Sequence, residues 1–304
     1  MSRVNANLLL TLVALIWGSA FVAQSRGMAH LGPMLFTGVR FLIGALVVTP
    51  LMWLEWRSLQ QRGKALQRLD GLKIAGLGAL LALGAAMQQI GIVSTSITHA
   101  GFLTALYVPL VPVLGWLLWR QLPHWSVWPG ALACLAGAYL LSGAQHVSIG
   151  AGDLWIIAST LPWALHVLLI GRVAHRMAAP FLVAGGQFVV CGLSTLAWGL
   201  TWEPASWVGL QAASWSLAYA GVLSVGVAFT AQVVAQRYAQ ASDAAIVLSA
   251  ETLFAAGFGY LLMGDRLDAA GLAGCALILA SMVGVQLLPL LRPKRATMAV
   301  HQQG

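Results

Sequence analysis

Between Ser242 and Asp268 the sequence reads SDAAIVLSAETLFAAGFGYLLMGDRLD, a run apolar enough to cross a bilayer with one carboxylate, Glu251, near its middle. A charge at bilayer depth is expensive, so a chain keeps one where it pairs, takes up a proton or faces a water-filled path. Two chemistries follow for Glu251: carrying a proton, or pairing with a cationic group on a solute. A structural carboxyl bonded to a neighbouring helix is the alternative. Arg40 sits inside another apolar run. Its guanidinium could hold a solute carboxylate bidentately, snorkel to the membrane surface, or form a structural pair with Glu251.

The remaining candidates are uncharged polar or aromatic residues within apolar runs. Trp17 and Trp163 lie inside theirs, whereas Trp53, Trp56, Trp125, Trp128, Trp202 and Trp207 fall where interfacial belts are expected. Cavity lining and plain packing are the two readings of the inner pair. His166 is one helical turn from Trp163 on the same face. It is either a titrating group or a satisfied core histidine. Gln88, Gln187, Gln232 and Tyr107 can hydrogen-bond a solute or link helices. The expected substrate-binding set is therefore Trp17, Arg40, Gln88, Tyr107, Trp163, His166, Gln187, Gln232 and Glu251, with Glu251 also as the proton-coupling group.

Composition says what must position these side chains. The chain is 60% hydrophobic and 8% charged over 304 residues. Soluble domains carry about 25% charged residues, so this is a membrane protein. The net charge of +8 is scattered over short loops and tails rather than gathered in a patch, so nucleic acid is not an expected partner. Cys134, Cys191 and Cys275 are odd in number, lack CxxC spacing and lie in apolar segments. They read as buried thiols, not a disulfide or zinc framework. No metal or cofactor is expected. The first apolar run outlasts a signal-peptide core and is expected to remain as a helix.

A spanning helix needs about 20 mostly apolar residues. Ten such segments are expected, at 5–25, 33–54, 72–93, 98–119, 126–143, 152–171, 180–201, 213–236, 241–263 and 269–291. The longest link, 55–71, is polar and carries several basic residues. Pro109 and Pro112 should kink the fourth helix and free backbone carbonyls near the midplane. Helices five and ten, GALACLAGA and GLAGCALILASMVG, should pack closely at the bundle edge or between protomers of a homodimer, outside the transport path.

Ten spans put both termini on one side. The loops of that side carry Arg3, Arg57, Arg62, Lys64, Arg68, Lys73, Arg120, Arg172, Arg176, Arg237, Arg292, Lys294 and Arg295, while the opposite loops carry Arg26 and Arg266. Both termini are accordingly expected in the cytoplasm.

The two halves of the chain match each other. At an offset of 144, His99 corresponds to Asp243, Tyr107 to Glu251, Gly115 to Gly259, Gln121 to Asp265, Gly130 to Gly274, and Gln88 to Gln232. Trp17 matches Trp163 at 146, and Pro33, Arg40 and Phe41 match Pro180, Gln187 and Phe188 at 147. Five spans per half is an odd number, so the second half must be inverted relative to the first. Inverted repeats are a transporter architecture with a site near the midplane between the halves.

The run SAETLFAAGFGYLLMGDRL resembles the end of the second repeat in the EamA branch of the drug/metabolite transporter superfamily. VALIWGSAFV resembles that family's opening helix, and YVPLVPVLGWLLWRQLP its first-half counterpart, with Pro109 and Pro112 in place. The likeness covers about residues 5–291. Two positions depart from it. Thr252 stands where a proline often follows the acidic residue, and the Gly-Glu element is Gly264-Asp265 in the second half and Arg120-Gln121 in the first.

The resemblance implies an all-α integral membrane fold of ten helices in two inverted five-helix repeats, residues 1–145 and 146–295, followed by a cytoplasmic tail at 296–304. It also implies a multi-pass carrier of the bacterial inner membrane, frequently an exporter of amino acids, amines or other small metabolites. The expected function is secondary transport by alternating access, with protons as coupling ion, and the partners are a small-molecule substrate and the lipid bilayer. An uncoupled exchanger of the same fold, a channel and a membrane-embedded enzyme are the alternatives. The sequence has no HExxH, GxSxG, P-loop or paired intramembrane aspartates, so an enzyme is not expected.

Overall fold

In hydrocarbon each backbone N–H and C=O must be satisfied within the protein, which leaves helices as the means for a chain this apolar to cross. The computed structural model describes residues 1–64, 66–95, 97–141, 150–263 and 268–291, and every regular element among them is helical. The expected repeat boundary at 145/146, Gly264-Asp265, Arg266, Arg292, Lys294, Arg295 and the tail at 296–304 lie outside the described residues.

The helices are α1 Arg3–Met28, α2 Pro33–Gln61, α3 Arg68–Ile92, α4 Ile97–Ala105, α5 Tyr107–Trp119, α6 Val127–Leu141, α7 Ala151–Met177, α8 Pro180–Trp202, α9 Trp207–Ala212, α10 Ser214–Ala218, a π-helix Tyr219–Phe229, α11 Thr230–Ala235, α12 Ala241–Leu248, α13 Ala250–Met263 and α14 Ala269–Leu291. Nine segments among the described residues are long and apolar enough to span a membrane, and α6, at 15 residues, is a shorter apolar tenth. The polar link at 55–71 is largely helical: α2 continues through Gln61 despite Pro50, and α3 begins at Arg68. There the Gln67 N–H donates to Asp70 at 3.2 Å in a capping box.

Three spans are irregular in their middles. The fourth breaks between α4 and α5 at Leu106. Pro109 has no N–H to donate to Ala105 and Pro112 none to Val108, and each ring crowds the carbonyl four residues back. The ninth breaks at Ser249 without a proline. There the Ser249 hydroxyl donates to the Ile246 carbonyl at 2.7 Å, an alternative partner within its own turn. Thr252, in the place of the family's frequent proline, donates to the Gly101 carbonyl at 3.2 Å and ties the two broken spans together. The eighth span carries the π-helix, a wide-turned form that is rare and concentrates at functional sites. Its Gly221 and Gly226 lie directly under Ile43 and Val47 of α2, where an added Cβ would clash.

Carboxylates lock the ends of the α2–α8 pair. Glu203, just past α8, accepts from the Met34 and Leu35 N–H groups at 2.9 and 2.8 Å, satisfying donors at the start of α2. Glu55, late in α2, accepts from the Leu182 N–H at 2.7 Å at the start of α8. Each helix thus supplies a cap for the other. At the edge of the bundle α6 packs on α14 through Gly137 and Gly274, whose carbonyl oxygens sit where a Cβ on the other would go. Ser281 donates to the Gly130 carbonyl at 2.5 Å.

Candidate functional site

Seven of the nine residues singled out from sequence converge on one internal cavity: Trp17, Arg40, Gln88, Tyr107, Trp163, Gln232 and Glu251. They arrive from α1, α2, α3, α5, α7, α11 and α13. Tyr107 is the first residue of α5 and Glu251 the second of α13, so the two interruptions just described deliver them to the cavity. His166 and Gln187 are not in the lining. Both are fully buried and bond each other, Nε2 to Oε1 at 2.8 Å. The seventh span, α8, which carries Gln187, supplies no lining residue: the Gln187 side-chain oxygen is turned to His166. α6 and α14 also contribute none.

Phe21, Gln24, Thr104, Val167, Ser224 and Phe229 complete the lining, and the sequence did not single them out. For Gln24 a signal existed: a glutamine one helical turn from the end of an apolar span. Ser224 and Phe229 had none, since their exposure to the cavity depends on the π-helical winding.

Arg40 is 4% exposed. Its Nη1 donates to Gln24 at 2.6 Å, and its guanidinium carbon lies 5.2 Å from the Phe41 ring centroid. It neither snorkels nor pairs with Glu251. Its Nε has no partner among the described residues.

Glu251 stands apart from the other acids. Of the eight acidic residues, Asp265 lies outside the described residues. Glu55 and Glu203 cap α8 and α2. Asp70 caps α3 and pairs with Lys73 at 3.0 Å. Asp153 accepts from Gly150, Thr95 and His99 at 2.8, 2.9 and 3.3 Å. Asp243 pairs with Arg3 at 2.5 Å, and Asp268 accepts from the Gly271 N–H at 2.7 Å. Glu251 alone among the described carboxylates has neither a capping nor an ion-pair role, and it is 7% exposed against the cavity.

Trp17, Phe21, Tyr107, Trp163 and Phe229 give the wall its aromatic part. Trp17 and Phe229 have ring centroids 4.5 Å apart, and Trp163 stacks on Phe229 at 6.1 Å. Trp17 Nε1 donates to the Ser224 carbonyl at 3.2 Å, whereas Trp163 Nε1 has no acceptor among the described residues. Gln88 donates to Thr104 at 2.9 Å, and the Gln232 side-chain oxygen is likewise unsatisfied. The cavity thus presents one cation, one carboxyl, two free donors and a free acceptor against aromatic faces. Its free space is about 50 Å³. That admits a few waters, against roughly 300–1,000 Å³ for ligand pockets, so side chains must part to admit a metabolite.

Charge, burial and aromatic walls at mid-helix are what a solute carrier presents, and comparison with known proteins decides the family. The EamA-like transporter family model matches twice, at residues 4–143 and 150–287. The chain belongs to the EamA-like transporter family. As an EamA-like protein it is 30% identical over 289 residues to an uncharacterized transporter of Archaeoglobus fulgidus, covering 94% of this chain and 87% of that one. It is 24% identical over 282 residues to the uncharacterized transporter YoaV of Bacillus subtilis, covering 88% and 91%. A crystal structure at 21% identity superposes with a TM-score of 0.77 over 96% of this EamA-like chain and all of the other, which shows the shared fold. The protein is a multi-pass membrane transporter of the drug/metabolite superfamily.

Proposed function

We propose that this transporter is a secondary carrier that exports a small organic metabolite (an amino acid, an amine or a drug-like solute) across the bacterial inner membrane by alternating access. The observation that carries the reading is the pairing, in one buried cavity, of Arg40 and Glu251 without an ion pair between them. Two opposite charges kept apart at bilayer depth suit a solute that brings both complements. The aromatic wall suits its apolar part.

Residues 1–145 and 146–295 act as two inverted halves. Support comes from the two family matches and from the mirrored packing. Glu203 caps α2 as Glu55 caps α8, and Asp153 binds His99 at one end as Asp243 binds Arg3 at the other. Both termini face the cytoplasm, in keeping with the basic residues on their side. Glu251 takes and releases the coupling proton. An uncoupled exchanger is the second reading, favoured by the same cavity if Glu251 stays in one protonation state.

Flux into proteoliposomes is the test. A carrier gives saturable uptake with counterflow. Linear flux without counterflow means a channel, and formation of a new product in detergent means an enzyme. A thermal-shift screen with amino acids, polyamines and cationic drugs identifies the solute class, because ligand binding raises the unfolding temperature by mass action.

A further inference from the structure

A second hollow, of about 600 Å³, opens at the end of the bundle where α1 begins. It continues the central cavity along the same segments. Tyr107, Val167 and Gln232 line the cavity, while Pro112, Leu168 and Gln236, between one and five residues further on, line the hollow. The layer between them is thin. Gln236 donates to the Val167 carbonyl at 2.9 Å, and Tyr107 to the Ala245 carbonyl at 3.3 Å.

The charges that line the hollow are Arg172, Arg176 and Arg237, with His175 beside them, and no carboxylate is in the lining. A membrane protein can satisfy the charge rule for orientation with arginines on any cytoplasmic loop. Nothing in that rule turns three of them toward one concavity. Arg172 is also held in place. It donates to Gln121 and lies 3.7 Å from the Trp119 ring centroid. Arg237 has a buried Nε without a partner among the described residues. Of the described carboxylates at this end, Asp243 pairs with Arg3 and Asp70 with Lys73, while Glu55 accepts from the Leu182 N–H and lies within electrostatic reach of Arg237. A concave surface of one sign draws a counter-charge, and guanidinium groups match the planar or tetrahedral oxygens of carboxylate and phosphate.

We propose that this hollow is an oxyanion-binding antechamber, in which a carboxylate or phosphate group docks on Arg172, Arg176 and Arg237. Its part in transport, handing an anionic cargo group on to Arg40, rests on the carrier reading above. The binding itself does not.

The full-length protein in detergent, titrated with sodium phosphate against sodium chloride at matched ionic strength, tests it by the unfolding midpoint. The expected result is a saturable rise that is at least tenfold weaker in the Arg172→Gln/Arg237→Gln double variant. Arg57→Gln removes a basic residue outside the hollow, stacked on Trp53, and should leave the rise intact. No rise beyond chloride in the wild type, or a full rise in the double variant, overturns the proposal. If the double variant does not fold, each single variant should weaken binding, and full binding in both overturns it equally. Competition by short-chain phosphatidylglycerol would assign the site to a lipid headgroup, and lack of competition to a soluble oxyanion. Phosphate binding that persists where no solute is transported would sink the carrier reading and leave the antechamber standing.

Discussion

Arg40 reaches from α2 across to α1 and donates to the Gln24 side-chain oxygen at 2.6 Å, leaving its Nε without a partner among the described residues. The contact aims the guanidinium into the cavity while keeping donors in reserve. Replacing Arg40 with Gln should weaken binding of carboxylate-bearing solutes by about 10- to 100-fold, the range of a lost charge-assisted hydrogen bond of about 1.5–3 kcal/mol. Solutes without a carboxylate should be affected far less. Competition for uptake in proteoliposomes reads the difference, and equal losses for both classes would remove Arg40 from solute recognition.

Glu251 is the described carboxylate with no structural partner. Glu251→Gln keeps shape and hydrogen-bonding capacity but cannot exchange a proton. The variant should fold with an unfolding midpoint close to wild type, and its uptake should lose its dependence on pH and on an imposed pH gradient. Unchanged rate and pH profile in a folded variant would make the carboxyl structural.

The caps at the two ends of the α2–α8 pair are separate stabilising contacts. Glu203→Ala and Glu55→Ala should each cost about 0.5–2 kcal/mol, the usual range for a lost helix cap. Far apart, they should add. Thermal unfolding of the two single variants and the double checks both statements.

Gly137 and Gly274 let α6 and α14 approach backbone to backbone. Gly274→Leu forces them apart, with an expected loss of about 1–3 kcal/mol from overpacking. Because neither helix lines the cavity, solute affinity in the folded fraction should remain at the wild-type value. A changed affinity would show that this pair takes part in transport.

Arg3–Asp243 links the start of α1 to α12 at the end of the bundle near the hollow, and His99–Asp153 links α4 to α7 at the other. Asp243→Asn should loosen the first clasp without changing side-chain volume. In a background lacking the native cysteines, a cysteine at the fully buried Ala244 should then react with N-ethylmaleimide faster than in the parent. An unchanged rate would mean that the pair does not control access.

Much of this was legible in the residues alone. The cost of burying charge made Glu251 and Arg40 visible as candidates, and hydropathy placed the spans to within a few residues at most ends. The break in the fourth span follows from the missing N–H of Pro109, four residues after Ala105, whereas α5 continues through Pro112. The matching break at Ser249 does not follow from any such rule. It depends on hydroxyls that choose between their own turn and neighbouring helices. Glu55 and Glu203 read as polar residues near helix ends, and their roles became visible only when the partner helix was in place.

By itself, then, the sequence determined that this chain lives in a membrane, crosses it in helices, and keeps one arginine and one glutamate at a depth where each needs a reason. Hydropathy and the energetics of buried charge are local properties, and a sequence carries them in full. Which polar residues meet was left to the tertiary structure. Gln187 and Gln232 are the same residue type in the same kind of run. Packing rotates Gln187 toward His166 and Gln232 toward the cavity. The rotation of each helix about its axis is set by contacts with residues far along the chain, and no spacing along a single helix encodes it.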